Sequence, residues 1–332
     1  MSATTASGPP GTTGPTPRRT AKQPTAPGAG RGPRRPRRDR LSMQNLAGWL
    51  FSTPFLAVFG TFMAFPILAT LVMSFTSFGL RDVTDPFGAE FIGLENYTRL
   101  FEDEKFTTAL FNTAYFVVLG VPLTVGTGLA AAVLLNSGVE RMRTFFRVGF
   151  YAPVVTSIVA VAVVWRFVLD PADGLIAGLA AEVGLDGPNF LGSEILAMPS
   201  LIVMAVWRNL GTAMVLFLAG LQAIPTEVRE AARIDGAGIW QEFRRITVPL
   251  LRPTMLYVSV MTSIAFLNVF EEPFVMTDGG PGDSTLTVSL HMYQEGFDFF
   301  HMGYASSMAY VLFTVILAIT LLQLRLLRDR TR

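Results

Sequence analysis

Cysteine is absent from the 332 residues, which excludes disulfide scaffolds, thiolate nucleophiles and cysteine-ligated metals. Histidine is nearly absent, with only His291 and His301, too few for a histidine-built metal site. Charge is scarce as well. Asp, Glu, Lys and Arg make up 15% of the chain, against about 25% in soluble globular domains. Hydrophobic residues make up 51%, and the mean hydropathy is +0.45. That balance predicts a polytopic membrane protein, an all-α helical bundle of roughly six spans of about 20 residues. The length leaves no room beside such a bundle for a nucleotide-binding domain of ordinary size. Neither a G-x-x-x-x-G-K phosphate loop nor an H-E-x-x-H zinc helix occurs.

The little charge present is unevenly placed. Residues 1–40 hold nine of the 26 basic residues against one acid, Asp39, together with eight prolines and six glycines. Such a segment cannot bury enough apolar surface to offset its ordering entropy, so 1–40 is expected to be a disordered basic tail. Beside a membrane segment its basic residues read as a cytosolic topology signal rather than a nucleic-acid arm. The apolar stretch after Arg40 is too long for the core of a cleavable signal peptide. Residues 41–332 then form the six-span domain.

Uncharged runs predict spans near Leu46–Phe75, Phe111–Leu135, Phe145–Leu169, Met198–Gln222, Pro253–Val275 and Ala305–Leu327. With the N-terminus inside, the tail, Arg141/Arg143/Arg147, Arg229/Arg233/Arg244/Arg245/Arg252 and Arg325/Arg328/Arg330/Arg332 all fall on the cytosolic side. Only Arg81, Arg99 and Lys105 fall outside. This excess of positive charge on alternate loops predicts cytosolic termini at both ends.

Between the fourth and fifth spans, residues 225–250 parse as two short cytosolic helices. Pro225 and Thr226 start the first, Asp235-Gly236 breaks it, and Ile239, Trp240, Phe243 and Ile246 recur at helical spacing until Pro249 ends the second. An aromatic, basic helix pair of this kind could lie on lipid headgroups. The residues, however, resemble the EAA loop of permease subunits in binding-protein-dependent ABC importers, written E-A-A, three residues, G, nine residues, I-x-L-P. Glu230, Ala231, Ala232, Gly236, Ile246 and Pro249 match, and Val248 replaces the usual leucine. Two further stretches resemble the carbohydrate-uptake class, of the larger maltose permease type. One is F-I-G-L-E-N-Y at Phe91–Tyr97, ahead of the second span; the other is T-D-G-G-P at Thr277–Pro281.

The resemblance implies a type I importer permease fold in a bacterial plasma membrane, with Glu230, Ala231, Ala232, Asp235, Gly236, Ile246 and Pro249 coupling the bundle to an ATPase. It implies a heterodimer with a second homologous permease, two ATPase subunits that carry ATP and Mg, and an external sugar-binding protein. This chain would bind no cofactor or metal of its own and no nucleic acid, and its medium would be the lipid bilayer.

Polar groups inside spans are costly and mark pathways. Arg208 and Asn209 in the fourth span and Tyr257, Asn268 and Glu271 in the fifth are the candidates for sugar contact; a cavity, a carbonyl or an acidic partner must receive Arg208. Trp207 and Phe270 could stack on a pyranose, and Gly120, Gly126 and Gly128 would allow close helix packing. His291 and Glu295 read as solvated loop polarity. An ion-coupled secondary transporter is the alternative, but it calls for central carboxylates and similar halves, and no Asp or Glu is expected at mid-span.

Overall fold

The computed structural model describes residues 38–85, 88–137, 143–182, 184 and 187–327. Residues 1–37 of the expected tail lie outside the described residues, and the first helix, α1 (Arg38–Phe59), already includes Arg38, Asp39 and Arg40. The chain divides into two units at Phe59/Gly60. α1 is the described part of the first. The second begins with a π-helical turn, Gly60–Ala64, and α2 (Phe65–Met73), and the helical stretch Gly48–Met73 is 26 residues long and apolar enough to span.

The second unit continues through α3 (Glu95–Glu102), α4 (Glu104–Ser137), α5 (Arg143–Val155), α6 (Ile158–Val168), α7 (Leu175–Glu182) and α8 (Ala197–Gln222). It then runs through α9 (Thr226–Ile234), α10 (Ile239–Glu242), α11 (Val248–Leu250), α12 (Arg252–Leu267), α13 (Glu271–Met276), α14 (Val288–Tyr293) and α15 (Met302–Leu327). Among the described residues four helices are long and apolar enough to cross a membrane, or up to six if each of two bent pairs, Thr144–Val155 with Ile158–Val168 and Ile239–Leu250 with Arg252–Leu267, is one span.

Breaks in the chain correct two of the expected spans. The third is α5 and α6 set at 100°. Pro153 lacks the N–H that would bond the Gly149 carbonyl, Thr156 Oγ1 bonds the Ala152 carbonyl, and Ser157 leaves the helical region at ψ 129°. The expected fifth span stops at Leu267 rather than Val275. Asn268 Nδ2 takes the Ile264 carbonyl at 2.8 Å. Pro273 has no N–H to offer the Val269 carbonyl, which instead accepts from Thr287 Oγ1 at 2.9 Å. The chain therefore restarts as the short α13.

α4 and α8 form the main seam. A Cβ on Gly128 would stand 2.6 Å from Ala213 Cβ, and one on Gly120 would stand 2.8 Å from the Phe266 ring, so both glycines set the helix spacing. Among the described residues a Cβ on Gly126 would meet nothing within 4 Å, so no packing there calls for a glycine. Gly211 lets α8 meet the Phe150 carbonyl of α5, where any side chain would collide. Around the seam lie Phe116, Leu201 and Ile202 toward one end and Phe217, Met214 and Leu251 toward the other. Phe116 meets Phe266 edge-on at 5.2 Å. A third cluster, with Leu100, Phe106, Leu290 and Met308, ties α3 and α4 to α14 and α15.

Candidate functional site

The loop between α8 and α12 folds into a compact head. α9 ends in a glycine cap: Gly236 takes φ +78°, and the Ala237 N–H reaches back to the Ala232 carbonyl at 2.9 Å. Only a residue that tolerates the left-handed region serves there, and space is not the constraint, because nothing lies within 4 Å of a Cβ at Gly236. α9 and α10 are clamped by Arg229 Nε donating to Glu242 Oε1 at 2.8 Å, with Glu242 only 7% exposed. Neither residue belongs to the motif, and their 13-residue spacing crosses a break, so no periodicity points to them.

Ala232 is buried under the head, whereas Glu230, Ala231 and Asp235 are exposed. Ile239 (90% exposed) and Trp240 (69%) project from the tip beside Ile234. Phe243, stacked on Trp240 at 5.6 Å, lines with Ile239, Arg229 and Thr247 a cavity of about 400 Å³ beneath the head, whose far wall is Val133, Leu221 and Ile224. Pro249 does not end the second helix, which runs on to Leu250. A π-helical turn, Phe243–Thr247, precedes Pro249, with the Val248 N–H bonding the Phe243 carbonyl five residues back. Ile246 and Pro249 are half-buried in this wider turn.

At the opposite end, the two remaining motifs are structural clamps. Asn96 of the F-I-G-L-E-N-Y stretch donates to the carbonyls of Ser74 (3.0 Å) and Thr76 (2.9 Å), closing the end of α2, and Tyr97 Oη meets Ser74 Oγ at 2.8 Å. The Gly279–Pro281 turn is held by Thr285 Oγ1 bonding the Gly280 carbonyl. Asn112 Nδ2 of α4 bonds the carbonyls of Asp283 (2.8 Å) and Leu286 (2.9 Å).

His291 corrects the expectation of loop polarity: it is 2% exposed. Its Nε2 stands 3.2 Å from Asp103 Oδ2, which also accepts from Tyr304 Oη at 2.7 Å, and the Arg99 guanidinium covers the Tyr304 ring at 4.3 Å. Burial alone would push the Asp103 carboxyl up. Hydrogen bonds from Tyr304, His291 and the Phe106 N–H outweigh it and hold Asp103 below the usual aspartate range. Glu295 pairs with the exposed His301 at 2.7 Å.

The five candidate pathway residues have different surroundings. Asn209 spends its amide N–H on the Ala205 carbonyl, and Tyr257 is exposed on α12, 11 residues and so about 16 Å from Asn268. Asn268 lines a cavity of about 530 Å³ with Phe270, Tyr293, Phe297, Ser289 and Ser306. Its aromatic walls are stacked, Phe270 on Phe274 at 5.1 Å and Tyr293 on Phe297 at 5.3 Å. Trp207 packs on Trp165 at 5.7 Å. Arg208 is half-buried, and Glu271 is exposed while Glu272 beside it is buried.

Up to six candidate spans among the described residues, with a clamped helical head between α8 and α12, are the features of a membrane permease. Residues 41–332 match the family described as the binding-protein-dependent transport system inner membrane component, and the chain belongs to that family. The chain is 38% identical over 287 residues to the probable ABC transporter permease protein YesP of Bacillus subtilis, covering 85% of this chain and 90% of that one. It is 32% identical over 291 residues to the arabinooligosaccharides transport system permease protein AraP of the same organism (87% and 91%). To the lactose transport system permease protein LacF of Rhizobium radiobacter it is 34% identical over 289 residues (85% and 94%). A chain of the crystal structure of a bacterial ABC transporter that imports the acidic polysaccharide alginate superposes with a TM-score of 0.77 at 25% identity, covering 89% of this chain and all of that one. The protein is thus a multi-pass inner-membrane permease of an ABC transporter that works with a binding protein. ATP binding belongs to a partner subunit.

Proposed function

We propose that this permease translocates a sugar, mono- or oligosaccharide, that an external binding protein delivers. It would work as a heterodimer with a second homologous permease on two ATPase subunits, with both its termini in the cytosol. The observation that carries the coupling role is the head itself: a braced helix pair whose exposed tip combines Glu230 and Asp235 with the bare Ile239 and Trp240. An exposed apolar patch rimmed by charge marks a protein contact, and a carboxylate there offers a charge-assisted bond to a basic groove. Ala231, Ala232 and Gly236 shape the head, and Ile246 and Pro249 join it to α12, so that movement of an ATPase is passed into the bundle. The sugar assignment is supported by relatives whose names specify arabinooligosaccharides and lactose. Arg208, Asn209, Tyr257, Asn268 and Glu271 are proposed to line the path.

The test is reconstitution in liposomes with the partner subunits, the binding protein and a panel of labelled sugars. Uptake that requires ATP and the binding protein is expected. Uptake by the single chain, driven by an ion gradient, would refute the reading. Glu230→Lys should lower both uptake and sugar-stimulated ATP hydrolysis, leaving sugar binding by the external protein unchanged; a headgroup-lying helix pair would tolerate it.

A further inference from the structure

The head is joined to the bundle by two arms. α9 follows α8 after only Ala223, Ile224 and Pro225, and α10 runs through the π-helical turn and α11 into α12. Between the head and the bundle lies the cavity of about 400 Å³, with Arg229, Glu242 and Phe243 on one side and Val133, Leu221 and Ile224 on the other. Side chains that face each other across a void make no contact, so at this level a push on the head does not pass straight into α4 or α8. Apolar packing grips α9 weakly as well: Ala232 is buried, but Val228 and Ile234 are exposed. What bridges the arms is charge. Arg229 Nε of α9 donates to Glu242 Oε1 of α10 at 2.8 Å, with Glu242 buried and Arg229 half-buried. Arg229 is also the chain neighbour of the exposed Glu230, so a force on Glu230 reaches it at once.

We propose that the Arg229–Glu242 pair is the brace that makes the two arms one rigid body, so that a movement of the ATPase drives α8 and α12 together. The proposal rests on the coupling role of the head. An ordinary surface ion pair contributes little, but the burial of Glu242 changes the case, because removing one partner leaves a charge that water does not reach freely. The guanidinium is planar and rigid, and it fixes an angle between helices better than a flexible ammonium would. Both residues act through the motif rather than on the sugar or on ATP, and they are positioning residues. The cavity beneath gives the braced head room to tilt as a unit.

The experiment compares wild type, Arg229→Gln, Glu242→Gln and the double Gln variant in two assays. The first is the reconstituted complex, read as ATPase subunits retained and as sugar carried per ATP hydrolysed. Each single variant should keep its ATPase subunits, since the exposed tip is unaltered, but carry about tenfold less sugar per ATP. The double variant should do no worse than the poorer single one. A wild-type ratio in both single variants, losses that multiply in the double variant, or loss of the ATPase subunits would each overturn the proposal. The second assay is amide hydrogen exchange of the purified chain, which needs neither sugar nor partner. Glu242→Gln should speed exchange across α9 while leaving α8 and α12 as in wild type. Unchanged exchange in α9 would overturn the brace. Failure of the wild-type complex to carry any sugar would instead strike the sugar-permease reading, with the exchange result still deciding the brace.

Discussion

Asp103 shows how much a single side chain can hold together. It closes the start of α4 through the Lys105 and Phe106 N–H groups and receives Tyr304 from α15 and His291 from α14. Because its folded carboxyl titrates below the ordinary value, the stabilisation is fully present above about pH 4 and is lost as pH falls through the folded value. Melting of the purified chain between pH 7 and pH 3 should therefore show a downward step that Asp103→Asn flattens. At pH 7 that variant should be less stable by roughly 1–3 kcal/mol, the scale of losing hydrogen bonds to a charged group; equal slopes in the two proteins would remove Asp103 from the account. The sequence shows that Asp103, His291 and Tyr304 exist but not that they meet, since their partners lie about 200 positions apart. Glu271 and Glu272 make the same point, being identical in type while only the packing of α13 decides which is buried.

The helices were legible where composition alone decides them. α4, α8 and α15 follow the uncharged runs. The breaks were not, because they depend on which carbonyl finds a substitute donor. Pro122 lies inside a continuous α4, whereas Pro153 precedes a 100° bend, and a proline in sequence does not say which will occur. Glycines divide in the same way, which makes them a test. Gly211→Val should collapse the α5–α8 contact and lower the yield of folded protein, read by detergent-stable monodisperse expression. Gly236→Val should leave that yield intact, since it meets no neighbour. It should instead oppose a left-handed backbone by about 1–2 kcal/mol, lowering sugar-stimulated ATP hydrolysis in the reconstituted complex. Gly126→Ala should change neither measurement. If Gly236→Val damaged yield as much as Gly211→Val, the head would be a folding element rather than a transmitting one.

Across the whole molecule, the strongest sequence signal is the placement of basic residues, and it yields a topology that can be read directly. A reporter active only outside the membrane should work when fused after Glu90, Gly184 or Gly282, and should be silent after Ser137, Ala237 or Arg330. Activity at Ala237 would put the head on the wrong side for any ATPase. One feature also sets the angle at which that head meets the bundle. The π-helical turn at Phe243–Thr247 holds one residue more than an α-helical turn would, and each helical residue carries about 100° of rotation and 1.5 Å of rise. Were the same residues wound as a regular α-helix instead, Ile239 and Trp240 would swing by roughly a quarter turn about the axis leading into α12. Every side chain of the head would survive unaltered in kind. The tip would nevertheless face a different direction, like a correctly cut key turned in the lock before it is seated.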